Sequence, residues 1–143
     1  MLELFEKVYV SGEKASDEEL NILYQWLRDN SFPCCCLPQD YLNLIKESNG
    51  GDFMNGEREY QFLSTDKIIE YYHAYMFPLF MPYAFPFAMD GCGNFYIFNL
   101  RKNDECVYAV SAGDMGWKED ECVKIADNFM ECLGQKFPPD NCF

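Results

Sequence analysis

His73 is the lone imidazole in a chain with eight cysteines, so nucleophilic chemistry here would have to pair a thiol with that one base. Cys92, between Gly91 and Gly93, is the thiol to consider. No third group stands at a spacing that would orient the base, so Cys92 reads as a structural thiol. His73 follows Tyr72, off the face carrying Ile68 and Ile69, where a solvated or singly bonded imidazole is expected. Cys34 and Cys36 are too close in sequence for the usual zinc spacing, and no second close pair accompanies them; no metal is expected. Gly91-Cys92-Gly93 lacks the third glycine and the following helix of a dinucleotide loop, and Asp90 would repel phosphate, so no cofactor is expected either. Asp90 and Asp114 are carboxylates that could share acid/base work, but nothing in the sequence brings them together, and both read as side chains bonded to turn backbone.

Charge is the stronger signal. Lys and Arg total 11 against 24 Asp and Glu, a net charge of -13, and such a field repels nucleic acid and anionic lipid and attracts basic partners. Asp17, Glu18 and Glu19, and likewise Glu119, Asp120 and Glu121, are placed in first turns of helices, where each carboxylate gains roughly 0.3 to 1 kcal/mol from the helix dipole. Glu57, Glu59, Asp104, Glu105 and Asp114 exceed what capping explains. Of these, Glu57, Glu59 and Asp114, together with Trp117 as an aromatic anchor in the glycine-flanked loop after Gly113, are the candidate partner-binding residues.

These residues belong to a chain of 143 residues that is 49% hydrophobic and 17% aromatic, enough for one domain with a packed core and no need of staples. The N-terminus shows no basic stretch followed by an apolar core, and no run approaches the length of a membrane span, so a cytoplasmic protein is expected. Free thiols follow from that compartment and from three consecutive cysteines, Cys34-Cys35-Cys36.

The elements that must position these groups are read from periodicity. Leu2, Phe5 and Tyr9 suit a helix within the first fifteen residues, with a strand through Val8 and Val10 as the alternative. Ser16 and Glu19 form a capping box for a helix from about Asp17 to Asp29, with Leu20, Leu23, Tyr24 and Leu27 at helical spacing. A second helix runs from Leu37 to Ser48, with Pro38 at its first position and Tyr41, Leu44 and Ile45 on one face; Gly50, Gly51 and Gly56 then mark a mobile loop. Tyr60 to Leu63 reads as a strand. Ser64 or Thr65 caps a third helix with Ile68, Ile69, Tyr72 and Met76 toward the core, and the proline-spaced stretch from Met76 to Phe87 reads as a loop. A strand pair meets at Asp90-Gly91, with Phe95 to Leu100 apolar on both faces and therefore central. After the turn Arg101 to Asp104, Cys106 to Ser111 forms a further strand, and a closing helix carries Val123, Ala126, Phe129, Met130 and Leu133 to Gly134. The sum is an α+β domain: a twisted antiparallel sheet flanked by helices.

Taken in order, Leu37-Pro38-Gln39-Asp40-Tyr41, Asn49-Gly50-Gly51, Phe87 to Asn94, Val107-Tyr108-Ala109-Val110, Gly113-Asp114 and Ile125 to Phe129 resemble the SUKH superfamily, specifically its Smi/Knr-type branch. The resemblance covers a core of residues 16–137 within one domain of 1–143, leaving 1–15 as an extension. It implies a non-enzymatic protein-binding module, an immunity protein that neutralises a bacterial toxin such as a nuclease; a monomer or weak homodimer is expected. A regulatory or scaffolding protein of the same fold without a toxin is the alternative, and a small thiol-dependent enzyme resting on Cys92 and His73 the third reading. On the thiol reading, reductant is expected to leave the melting temperature unchanged; a loss of several degrees in calorimetry would show a structural bridge.

Overall fold

The computed structural model describes residues 1–137. Helix α1 (Asp17–Asp29) starts as its capping box dictates: the Ser16 hydroxyl accepts from the Glu19 N–H at 3.1 Å, and the Glu19 carboxylate accepts from the Ser16 N–H at 3.0 Å. Its apolar stripe, Leu20, Leu23 and Leu27, is buried. Helix α2 (Gln39–Ile45) is shorter than its periodicity predicts. Pro38 caps it from outside rather than occupying the first helical position, and bonds from the Glu47 and Ser48 N–H groups to the Leu44 carbonyl wind the chain out of the helix.

Beyond α2 the glycines build structure rather than a loop. Strand β2 (Gly51–Asn55) pairs with β1 (Lys7–Ser11) on one side and with β3 (Arg58–Phe62) on the other. Gly51 has φ +136, and a Cβ there would lie 2.5 Å from the Val10 carbonyl oxygen, so glycine is required where β1 crosses close to β2. The N-terminal helix expectation fails for a related reason. Only a 3-10 turn forms at Leu2–Leu4, and Lys7-Val8-Tyr9-Val10-Ser11 joins the open edge that β2 offers, where β-branched residues at alternate positions suit a strand.

Helix α3 (Thr65–Ala74) begins after Ser64, but the Ser64 hydroxyl turns to Asp66. The first N–H of the helix, that of Thr65, donates instead to the Asn49 side-chain oxygen at 3.0 Å. Met76, expected in the core, is 51% exposed and adopts the left-handed conformation at φ 61, ending α3 and opening the short helix α4 (Phe77–Phe80). Strand β4 (Ala84–Met89) follows, so the expected loop is confined to its middle. Pro86 is tolerated inside β4 because β3 pairs only with its far end, Gln61↔Met89 and Phe62↔Ala88, and a bulge lies between Pro86 and Ala88.

Strands β5 (Asn94–Asn99), β6 (Val107–Ser111) and β7 (Cys122–Ala126) complete the sheet. The closing helix is therefore shorter than expected: Val123 and Ala126 belong to β7, paired with Ala109 and Val107, and only α5 (Phe129–Leu133) is helical. Asn128 resets the chain by accepting the Glu131 N–H at 2.8 Å, while the Asp127 N–H donates back to the Glu131 carboxylate. Glu119, Asp120 and Glu121 consequently lie in a turn, and no helix dipole accounts for them.

Among the described residues, seven strands lie in sequence order, each antiparallel to its neighbour, giving an α+β fold with an open meander sheet. Registers assign Phe53, Tyr60, Phe62, Ala88, Tyr96 and Phe98 to one face, which α2 and α5 cover: the Tyr41 ring lies within 5.8 Å of Phe85, Phe87, Phe98 and Phe129. On the opposite face Phe95 meets Tyr75 and Phe77, from α3's end and α4. All of β5 is buried, as a strand apolar on both faces predicts. Substituting Asn49→Ala is expected to lower stability by about 1–2 kcal/mol in urea unfolding, since it removes the α3 cap. Tyr41→Phe is expected to leave stability unchanged or raise it, because the buried Tyr41 hydroxyl finds no partner among the described residues.

Candidate functional site

Two groups of the expected partner-binding residues occupy different parts of the sheet. Glu57 sits exposed in the β2–β3 turn, its N–H donating to the Lys136 carbonyl at 2.8 Å. Glu59, on β3, accepts from the Gln61 side chain at 3.2 Å. Asp114 and Trp117 lie in the long β6–β7 loop. Three strand spacings, roughly 14 Å, separate β3 from β6, so the structure joins Asp114 to Trp117 and Glu57 to Glu59 but does not merge the pairs.

The β6–β7 loop is held down by Trp117. Its indole N–H donates to the Pro82 carbonyl at 3.0 Å, the Arg101 guanidinium lies 3.8 Å from the ring centroid, and Tyr108 meets it edge-on. Trp117 is thus half-buried and packed rather than a free aromatic tip. Opposite the loop, α4 projects Leu79 and Phe80, which are 66% and 51% exposed. Between them runs a cleft whose walls include Phe80, Met115, Trp117 and Glu121, continuing past Tyr75 and Asp114. Sequence reasoning missed Leu79, Phe80 and Met115. A signal was present: Phe77, Leu79 and Phe80 crowd one short turn with apolar groups in several directions, and only Phe77 is buried.

The residues that could do chemistry are engaged elsewhere. His73 accepts the Trp26 indole N–H on Nε2 at 3.1 Å and stands edge-on to Trp26 and Tyr72. That lone pair is the one a Cys92/His73 pair would need, and Cys92 sits in the β4–β5 turn. Asp90 builds that turn: one oxygen accepts from the Cys92 and Asn94 N–H groups and the other from the Asn94 side chain. The Cys34 thiol donates to the Cys36 carbonyl, and among the described residues no group of three His, Cys, Asp or Glu side chains could hold a metal ion. No described helix is long and apolar enough to cross a membrane.

Burial pushes the Cys122 and Cys132 thiols up to about 11, which keeps both protonated and unreactive at neutral pH. Cys142 lies outside the described residues. Iodoacetamide at neutral pH is therefore expected to modify exposed Cys36 and Cys92 and to spare Cys122 and Cys132, as read by peptide mass mapping; rapid labelling of Cys132 would contradict its burial on the inner side of α5.

No curated protein matches the chain. The profile of the SMI1 / KNR4 family (SUKH-1) does match, over residues 14–135, from the start of α1 to just past α5. Among the described residues that span takes in strands β2 to β7 and helices α1 to α5, leaving β1 outside it. It also contains the Asn49-Gly50-Gly51 corner, the Asp90 turn and the Asn128 cap, whose side chains and glycines shape the backbone at those points. On that extent of agreement the chain belongs to the SMI1/KNR4 (SUKH-1) family, which is linked to toxin-immunity proteins.

Proposed function

We propose that this protein is a non-enzymatic binding module of the immunity type, neutralising a toxin by presenting carboxylates to a basic surface such as the nucleic-acid groove of a nuclease. The observation that carries this reading is the unpaired acidity. Glu57, Asp114, Glu119 and Asp120 are exposed, and none enters an ion pair among the described residues, whereas Glu3, Glu6, Glu47, Glu70, Asp104 and Asp127 do. With Glu119 and Asp120 in a turn, their charge has no role in capping a helix and remains available to a partner. Family membership supports a binding role, since SUKH proteins are generally non-enzymatic.

A regulatory protein of the same fold without a toxin is the second reading, and gene order separates the two: an immunity gene lies directly after a toxin gene. The test is association with the toxin encoded upstream, measured across a salt series. The on-rate is expected to fall by roughly tenfold or more between low salt and about 0.5 M as screening shortens the reach of the field. Charge reversal at Glu57 or Asp114 is expected to slow association and to change dissociation little. A salt-indifferent on-rate, or an acidic partner, would refute the phosphate-mimic reading. Replacing Cys92 by Ser and His73 by Gln is expected to leave protection intact; its loss in a folded, toxin-bound variant would point to catalysis.

A further inference from the structure

We infer that the cleft between α4 and the β6–β7 loop is the docking site for a basic protein segment, which seats an apolar side chain between Phe80 and Met115 and sets its Lys or Arg groups against Asp114, Asp120 and Glu121. The inference rests on the binding-module reading above and names the surface that reading needs.

Three observations converge on this cleft. First, the cleft carries apolar side chains that stand uncovered: Leu79 is 66% and Phe80 51% exposed, and Met115 lines the same cleft as Phe80 from the opposite loop. Exposed large apolar side chains scattered singly are ordinary, but here they adjoin one another across a concave surface of about 500 Å³.

Second, the walls are held rigid. Met76 and Tyr83 bracket α4 with φ of 61 and 70, left-handed values that non-glycine residues seldom adopt. The Tyr83 N–H is fixed by the Tyr72 hydroxyl at 3.0 Å, and Trp117 ties the facing loop to Pro82, within the same α4–β4 connection. The same turn that buries Phe77 and Met81 leaves Leu79 and Phe80 facing solvent. A preorganised wall lowers the ordering cost of binding.

Third, the rim is acidic. Asp114 and Glu121 line the cleft, Glu119 and Asp120 adjoin it in the same loop, and Lys118 is the cation lining it. Arg101 is already stacked on Trp117. Gly116 leaves room for the Glu121 carboxylate, which lies against it.

Charge complementarity selects the occupant. A second copy would oppose this acidic rim to itself, and an anionic lipid surface would be repelled by a protein of net charge -13. A basic segment with an apolar anchor satisfies both the walls and the rim.

The test uses isotope-labelled full-length protein and, as probe, a short synthetic peptide alternating lysine with leucine and phenylalanine. The peptide is expected to shift the Trp117 indole N–H and the Met115 and Leu79 methyl signals. Binding is expected to weaken about tenfold in the double variant Leu79→Ser, Phe80→Ser, and as much again for a lysine–glycine peptide. A glutamate-for-lysine peptide is expected to leave the spectrum unchanged. Equal binding of the lysine–glycine peptide, or shifts centred on the β2–β3 hairpin, would overturn the site. So would a wild-type dimer that the double variant abolishes, since the occupant would then be a second copy. Both substitutions replace exposed side chains, and circular dichroism checks that the variant is folded. With the upstream toxin as probe, a folded double variant that retains full affinity overturns the cleft and leaves the binding-module reading standing. A wild-type protein that binds the peptide at the cleft but never the toxin sustains the cleft and overturns that reading.

Discussion

The fold turns on the corner between α2 and β2, where a short polar segment is bonded to α1, α3 and the chain leaving β1 at once. The Ser48 hydroxyl donates to the Gly50 carbonyl at 2.6 Å and accepts the Gly12 N–H at 2.8 Å, fixing the end of β1. The Asn49 N–H donates to the Glu13 carbonyl. The Asn49 side chain reaches both Glu19 of α1 and Thr65 at the start of α3. Ser48 is buried, so losing its hydroxyl would leave backbone groups at this corner without a ready substitute from water. The corner sets where α1, α3 and β1 stand relative to the sheet, and the two glycines beyond it let β2 leave without collision.

At the other end of the molecule the same logic closes the aromatic face. α5 is only a turn and a half long and could not persist alone. Side chains from β2 and β3 take up carbonyls at its C-terminal end: Asn55 donates to Leu133, and the Tyr60 hydroxyl donates to Cys132 at 2.7 Å. Arg58, buried beside Tyr96, binds the Phe137 carbonyl and the Gln135 side chain. The strands thus supply the polar partners that the helix ends lack, and the helix supplies Phe129 to the ring cluster around Tyr41.

What the sequence discloses and what it conceals divide along physical lines. α1 was legible because its cap and its stripe are both local; β5 was legible because a strand covered on two faces must be apolar on both. β2 was not, because Gly51 serves a close crossing by β1 that only the tertiary structure reveals. β7 was not, because Val123, Ile125 and Ala126 fit a helical or an extended pattern until Asn128 is seen to cap α5 and so to separate it from the strand. The candidate surface was half legible. Acidity at Asp114 and an aromatic at Trp117 stood out in composition, but the anchoring of Trp117 and the exposure of Leu79 and Phe80 depend on backbone conformations at Met76 and Tyr83 that ordinary residues seldom adopt.

The meander order of the sheet bears on how quickly the chain becomes competent. From β2 to β7 every strand pairs with its neighbour in sequence, and the pairs β2–β3, β4–β5, β5–β6 and β6–β7 are joined by turns or loops with no helix between them. β1 must wait, since α1 and α2 intervene before its partner is made, and β4 must wait on β3 while α3 and α4 form between them. Local pairing of this kind carries a small loop-closure penalty and favours fast folding. Such a sheet can assemble largely in the order in which the ribosome delivers its strands.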